Sequence, residues 1–206
     1  MLRLIASLVV LAVSTAAHSA LVSQDSLYGP DTITFDTDTG LLWLDWSVTQ
    51  GLSFDEATGE LGAGGLFESF RFATNDEVAT LWANAGIVDL TTEGPIDFGT
   101  DFTTANFVAA VTLITLLGDT GLNGNLTEAT TADAGNLPGT QTVAELQLCT
   151  GGPCVAVFGA PLNSALASLG PNDQPAGDSS NLIGAALVRD TIAVVPVPGA
   201  LVLALS

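Results

Sequence analysis

Lysine is missing from this sequence altogether, and histidine occurs once, as His18. Without lysine there is no Schiff-base chemistry and no phosphate-loop amine. With one histidine, near the N-terminus, there is no general base for a Ser-His-Asp or Cys-His site. Arg3, Arg71 and Arg189 are the only fixed cations, against 22 Asp and Glu, and the formal net charge is −19. Nucleic acid is excluded as a partner because phosphates require a basic footprint. An anionic membrane surface repels the folded part for the same reason. Two cysteines without imidazole do not make a zinc site. What survives is carboxylate chemistry, either calcium binding or acid/base work by two carboxyl groups. The same acids also serve simply as a solvated surface. Disorder is not expected, because 48% of the residues are hydrophobic and three are tryptophan.

The two ends bear on location. "MLRLIASLVVLAVSTAAHSA" has Arg3 as a positive n-region, Leu4–Val13 as an apolar h-region, and small residues that allow a cut after Ala17, Ser19 or Ala20. That is the layout of a secretory signal peptide over residues 1–20. It predicts an exported protein at the cell surface or outside it. About 186 residues remain, enough for one domain with a core, set at residues 21–190. Residues 191–206 read as a linker and a tail, ending "VPVPGALVLALS". Its eight residues after Pro198 fall short of the roughly 20 needed to span a bilayer, so the tail is read as a truncated or degenerate membrane segment.

Cys149 and Cys154 fit an oxidising compartment. They stand in "LQLCTGGPCVAVF", where Gly151-Gly152-Pro153 is turn chemistry. The expectation is a β-hairpin pinned across its loop, worth about 2 kcal/mol for so short a closure. A redox pair would need closer spacing and a cation to depress a thiol pKa.

Along the chain, "DTITFDTDTGLLWLDW" predicts two strands around a turn at Asp36–Gly40. Ser53 with Glu56 and Thr74 with Glu77 are capping boxes. They predict helices at about 54–62 and from Thr74 to Gly86, the latter with Val78, Leu81, Trp82 and Ala85 on one face. Phe107, Ala110, Val111, Ile114 and Leu117 give a third helical stripe, though the threonines and β-branched residues also suit a strand. Residues 119–142 read as a long loop, "VAELQL", "CVAVF" and "NLIGAALVRD" as strands, and "GPNDQPAGDSSN" as a second loop. The fold class is therefore α+β, an antiparallel sheet with two or three flanking helices and long loops.

Two resemblances follow from these segments. "FDTDTGLLWLDWSVTQGLSFDEA", "GGLFESFRFATNDEVATLWANAGI", "AALVRD" and "VPVPGALVLAL" resemble an exported bacterial PEP-CTERM protein. The resemblance implies a sorting motif at Pro196, Val197 and Pro198, with Val197 where the family carries Glu, and an exosortase-type sorting enzyme as partner. "TGLLWLD" followed by "FRFATNDEVATL" is similar to the Lcl-type C-terminal domain pattern, over residues 33–87 and 182–190. It implies a C-type-lectin-like fold with "ALVRD" closing against the N-terminal hairpin. Phe70 stands where that pattern has Trp, and Ala73 where it has Pro.

The candidate sites are few. Asp36 and Asp38 in "DTDTG" begin like a calcium loop, but position five and the distant glutamate are missing; a hairpin turn explains the stretch by itself. Asp45, Asp55 and Trp46 hold the parts of a glycosidase. Three tryptophans are a possible stacking face for extracellular polysaccharide. Trp43 and Trp82 read as core anchors, Arg71 as paired with Asp45 or Glu77, and Arg189 as the partner of a surface acid. The leading expectation is a non-catalytic cell-surface or matrix protein without a required cofactor. The alternatives are a calcium-assisted carbohydrate-binding module and, behind it, a carboxylate-dependent glycoside hydrolase.

Overall fold

The computed structural model describes residues 21–92, 101–121, 125–156 and 159–191. The expected signal segment, residues 1–20, and Pro196-Val197-Pro198 lie outside them. Its first three strands are β1 (Leu21–Ser26), β2 (Gly29–Asp36) and β3 (Leu41–Leu44). The expected hairpin is present, with Ile33 opposite Leu44, Thr34 opposite Trp43 and Phe35 opposite Leu42. Alternating side chains go to opposite faces, and here both faces are covered. Trp43 and Leu44 are both fully buried, on different sides.

The strand stops at Asp45, which accepts a 2.8 Å bond from the Ser47 amide and caps a 3-10 helix over Trp46–Thr49. Helix α1 (Phe54–Gly59) and helix α2 (Asn75–Ala85) both carry their predicted capping boxes. α1 ends at Gly59, short of residue 62. α2 ends on Gly86 in the left-handed region, φ 100°. β4 (Arg71–Phe72) precedes α2, and α3 (Phe107–Leu117) takes the helical option over the strand.

The second half departs from expectation. The supposed loop 119–142 holds β5 (Leu126–Ala134) and the start of β6 (Thr140–Cys149). β5 is "LTEATTADA", whose threonines suit a strand but which lacks bulky apolar residues, so its period is faint in the sequence. The described part of "CVAVF", Cys154–Ala156, is not a strand: Pro153–Ala156 forms a helical turn, α4. The partner of β6 is instead β7 (Ser164–Pro175), which runs into the second supposed loop. A register shift opposite Thr142–Ala144 accommodates Gly170-Pro171 within that strand. "NLIGAALVRD" divides into β8 (Gly184–Ala185) and β9 (Leu187–Asp190).

The strands form two sheets, β1-β2-β3-β9-β4 and β7-β6-β5-β8. Pairing is antiparallel except between β5 and β8. The fold is thus mixed α+β, with four α-helices among the described residues. β9 closes on β3 with Leu42 opposite Arg189. Ala186 joins the sheets: its amide donates to Thr130 O at 2.9 Å and its carbonyl accepts from the Ala73 amide at 2.7 Å.

Three cores result. The largest joins Trp43 and Val188 to Val78, Leu81 and Trp82 of α2, Leu113 and Leu117 of α3, and Ala144, Leu146 and Ala167 of the second sheet. The second, on the other face of the first sheet, holds Leu44, Leu187, Phe67, Phe70 and Phe72 under α1. The third gathers Phe102, Cys149, Ala160 and Leu166. Two glycines permit this packing. A Cβ on Gly118, at φ 82°, would lie 1.9 Å from Asp45 Oδ1, and one on Gly184 would lie 2.2 Å from Trp46 O.

Candidate functional site

The Asp36 turn forms because the carboxylate closes it. Asp36 Oδ1 accepts from the Asp38 amide at 3.0 Å and the Thr39 amide at 3.5 Å, and Gly40 N donates back to Asp36 O. Oδ2 accepts 2.9 Å from Asn84 Nδ2, which ties the turn to α2. Asp36 is fully buried while Asp38 is exposed. The two acids of the calcium candidate therefore do different things: one is a structural acceptor, the other faces water. Among the described residues no three His, Cys, Asp or Glu side chains gather around a common metal position.

The tryptophans supply no stacking face. Trp43, Trp46 and Trp82 are each 0% exposed. Trp46, read from the sequence beside Asp45 and Asp55 as part of a sugar site, lies in the core with Trp43 and Trp82. Asp45 is held behind its 3-10 cap, where burial raises its pKa against the Ser47 bonds that lower it. Asp55 sits exposed in the first turn of α1. These two carboxyls act as helix-terminus residues, where the dipole favours them.

Arg71 pairs with Glu77, one of the two acids expected. The guanidinium donates two parallel bonds, of 2.8 and 2.6 Å. That fork–fork contact and the Thr74 amide together hold the Glu77 carboxyl below its usual range, the Arg71 bonds contributing most. Among the described residues Arg189 makes no salt bridge with an acid, contrary to expectation. Its guanidinium lies over the Phe70 ring, 4.9 Å from the centroid, a cation–π contact.

Cys149 and Cys154 form a disulfide with Cα atoms 5.8 Å apart. It does not pin a β-hairpin; it ties the end of β6 to α4 and adds to the third core. Its sequence neighbours Gly151 and Gly152 carry the turn, as expected.

One acidic pair escaped the sequence reading. Glu128 on β5 stands directly opposite Glu145 on β6, with Ser168 of β7 next in the row. Glu145 is only 6% exposed. Burial first, and repulsion from Glu145 second, push the Glu128 carboxyl up to about 7. The signal was masked because residues 119–142 gave no clear strand period, so nothing fixed the register that brings the two acids together.

No protein-family model, curated protein or solved structure matches this chain. The chemistry of these positions therefore rests on their geometry alone.

Proposed function

We propose that this chain is an exported, non-catalytic protein of the cell surface or extracellular matrix, of PEP-CTERM type, whose outer domain is C-type-lectin-like. The observation that supports it is the Cys149–Cys154 disulfide, because such bonds persist in oxidising compartments and are rare in the cytosol. The acidic, lysine-free composition suits a solvated outer surface. In this reading Pro196, Val197 and Pro198 address the chain to an exosortase-type enzyme, and extracellular polysaccharide is the surrounding partner. A non-catalytic role is favoured by the occupation of the carboxylates: Asp36 closes a turn, Asp45 caps a 3-10 helix, and Glu56 and Glu77 complete capping boxes. The buried Glu145 is out of a substrate's reach.

The test is to express the full chain in a Gram-negative host and recover it by compartment. The expected product is outside the cytoplasm, begins after Ala17, Ser19 or Ala20, and reacts with maleimide only after reduction. Cytoplasmic chain with an intact N-terminus and two free thiols would refute export. Co-expression with an exosortase, followed by mass determination, tests the sorting motif separately.

A further inference from the structure

Of the two basic residues beyond the signal segment, one is neutralised and one is kept apart. Arg71 is locked to Glu77. Arg189, in a chain with 22 acids, makes no salt bridge with any described residue, and its Nε is buried without a hydrogen-bond acceptor. An unsatisfied donor on a fixed cation is costly. The protein shields that nitrogen, so a ligand would meet the terminal amino groups of the guanidinium.

The surroundings of Arg189 have the shape of a receptor. β9 places it opposite Leu42 of β3, and the guanidinium carbon lies over the Phe70 ring, 4.9 Å from its centroid. That cation–π contact restrains where the guanidinium sits. Leu42, Ser69, Arg189, Asp190 and Thr191 line a pocket of about 460 Å³, within the usual range of small-molecule sites, about 300–1,000 Å³. Ser69, on its rim, holds φ at 77°. A left-handed backbone is uncommon for a residue other than glycine, and such strain gathers at ligand clamps.

The lining also specifies the ligand. A planar fork matches a carboxylate. The net charge of −19 and the adjacent Asp190 oppose a second negative charge, which disfavours phosphate dianions and polyanions. Ser69 and Thr191 can each accept from a ligand donor through their hydroxyls, while the Asp190 side chain, next along β9, goes to the other face of the sheet. We propose that this pocket binds a small organic monocarboxylate bearing hydrogen-bond donors, with Arg189 taking the carboxylate and the Ser69 and Thr191 hydroxyls taking the donors. Sugar acids and α-amino acids share that chemistry, through hydroxyl and ammonium donors respectively. The site does not depend on export or on the sorting tail.

The experiment is calorimetric titration of the purified full chain with glucuronate, glucose, alanine and acetate at fixed ionic strength. Glucuronate or alanine should bind, and whichever binds more tightly identifies the donor. Glucose, without a carboxylate, and acetate, without donors, should bind more weakly. Arg189→Gln should weaken binding about ten- to a hundredfold, as expected for losing bonds to a charged group. Arg189→Lys keeps the charge and loses the fork, so its affinity should fall between wild type and Arg189→Gln; it serves if the glutamine variant does not fold. Absence of binding by both glucuronate and alanine overturns the proposal. So does an Arg189→Lys variant that binds as tightly as wild type. Acetate binding as tightly as the better of the two ligands overturns the donor half of the assignment.

Discussion

Replacing Glu128 with Gln should stabilise the protein above neutral pH and leave it unchanged in acid. Glu128 faces Glu145 across the β5–β6 ladder, while β8 on its other side contributes Gly184 and Ala185 and no charge. The carboxyl ordinarily titrates at 4.5 and is pushed to about 7 by burial and by Glu145. The native state therefore holds this proton more tightly than the unfolded chain does. Between pH 4.5 and about 7 the native state binds more protons, so stability falls as pH rises, and this group adds no further change beyond that window. The full displacement corresponds to about 3 kcal/mol, and residual solvent contact reduces it to about 2 kcal/mol. Glutamine has the shape of the protonated acid and can donate to Glu145. At pH 8 Glu128→Gln should therefore unfold about 4–8 °C above wild type, given 2–4 °C per kcal/mol for a chain of this size. At pH 4 the two should coincide. Thermal unfolding followed by circular dichroism at both pH values checks this. A difference that does not vary with pH, or a variant less stable at pH 8, would refute the reasoning. A generic loss of stability from net negative charge would move both proteins alike.

Reduction of Cys149–Cys154, or the double Ala variant, should cost about 2 kcal/mol and lower Tm by about 4–8 °C without abolishing the fold; calorimetry reads the shift. Trp46→Ala should cost about 3–5 kcal/mol through a core cavity, so lost ligand binding in that variant would coincide with a lost denaturation midpoint in urea. Gly184→Ala should cost at least about 1–3 kcal/mol by overpacking against Trp46 O, measured in the same urea titration. Millimolar calcium should leave Tm where magnesium leaves it, because Asp36 already accepts from Asp38, Thr39 and Asn84. A rise with calcium alone that Asp36→Asn abolishes would make the turn a metal site.

Local grammar was legible in the sequence wherever a few neighbouring residues decide the outcome. The capping boxes Ser53–Glu56 and Thr74–Glu77, the Gly86 stop, the Asp36–Gly40 turn and the β2–β3 hairpin each depend on contacts within a few residues, and each is present. The partnership of Arg71 with Glu77 is of the same kind, six residues apart. Composition likewise excluded the chemistries that need lysine or imidazole.

Only the tertiary structure decided what depends on distant pairing. β5 and β7 are built from Thr, Ala, Gly and Pro as much as from bulky apolar residues, and their strand character comes from lying on either side of β6. The same pairing moved the disulfide from a hairpin to the end of β6, and it set Glu128 against Glu145. It also placed all three tryptophans in the core. Trp46 follows a strand pattern in the sequence, but the strand ends at Leu44 and the indole turns inward. Arg189 reads as the partner of a surface acid until β9 inserts between β3 and β4, which sets it over Phe70 beside a pocket. The physical reason is common to all of these. A side chain's type fixes what it can bond, but its burial and its partners are set by residues far along the chain, whose positions no local pattern encodes.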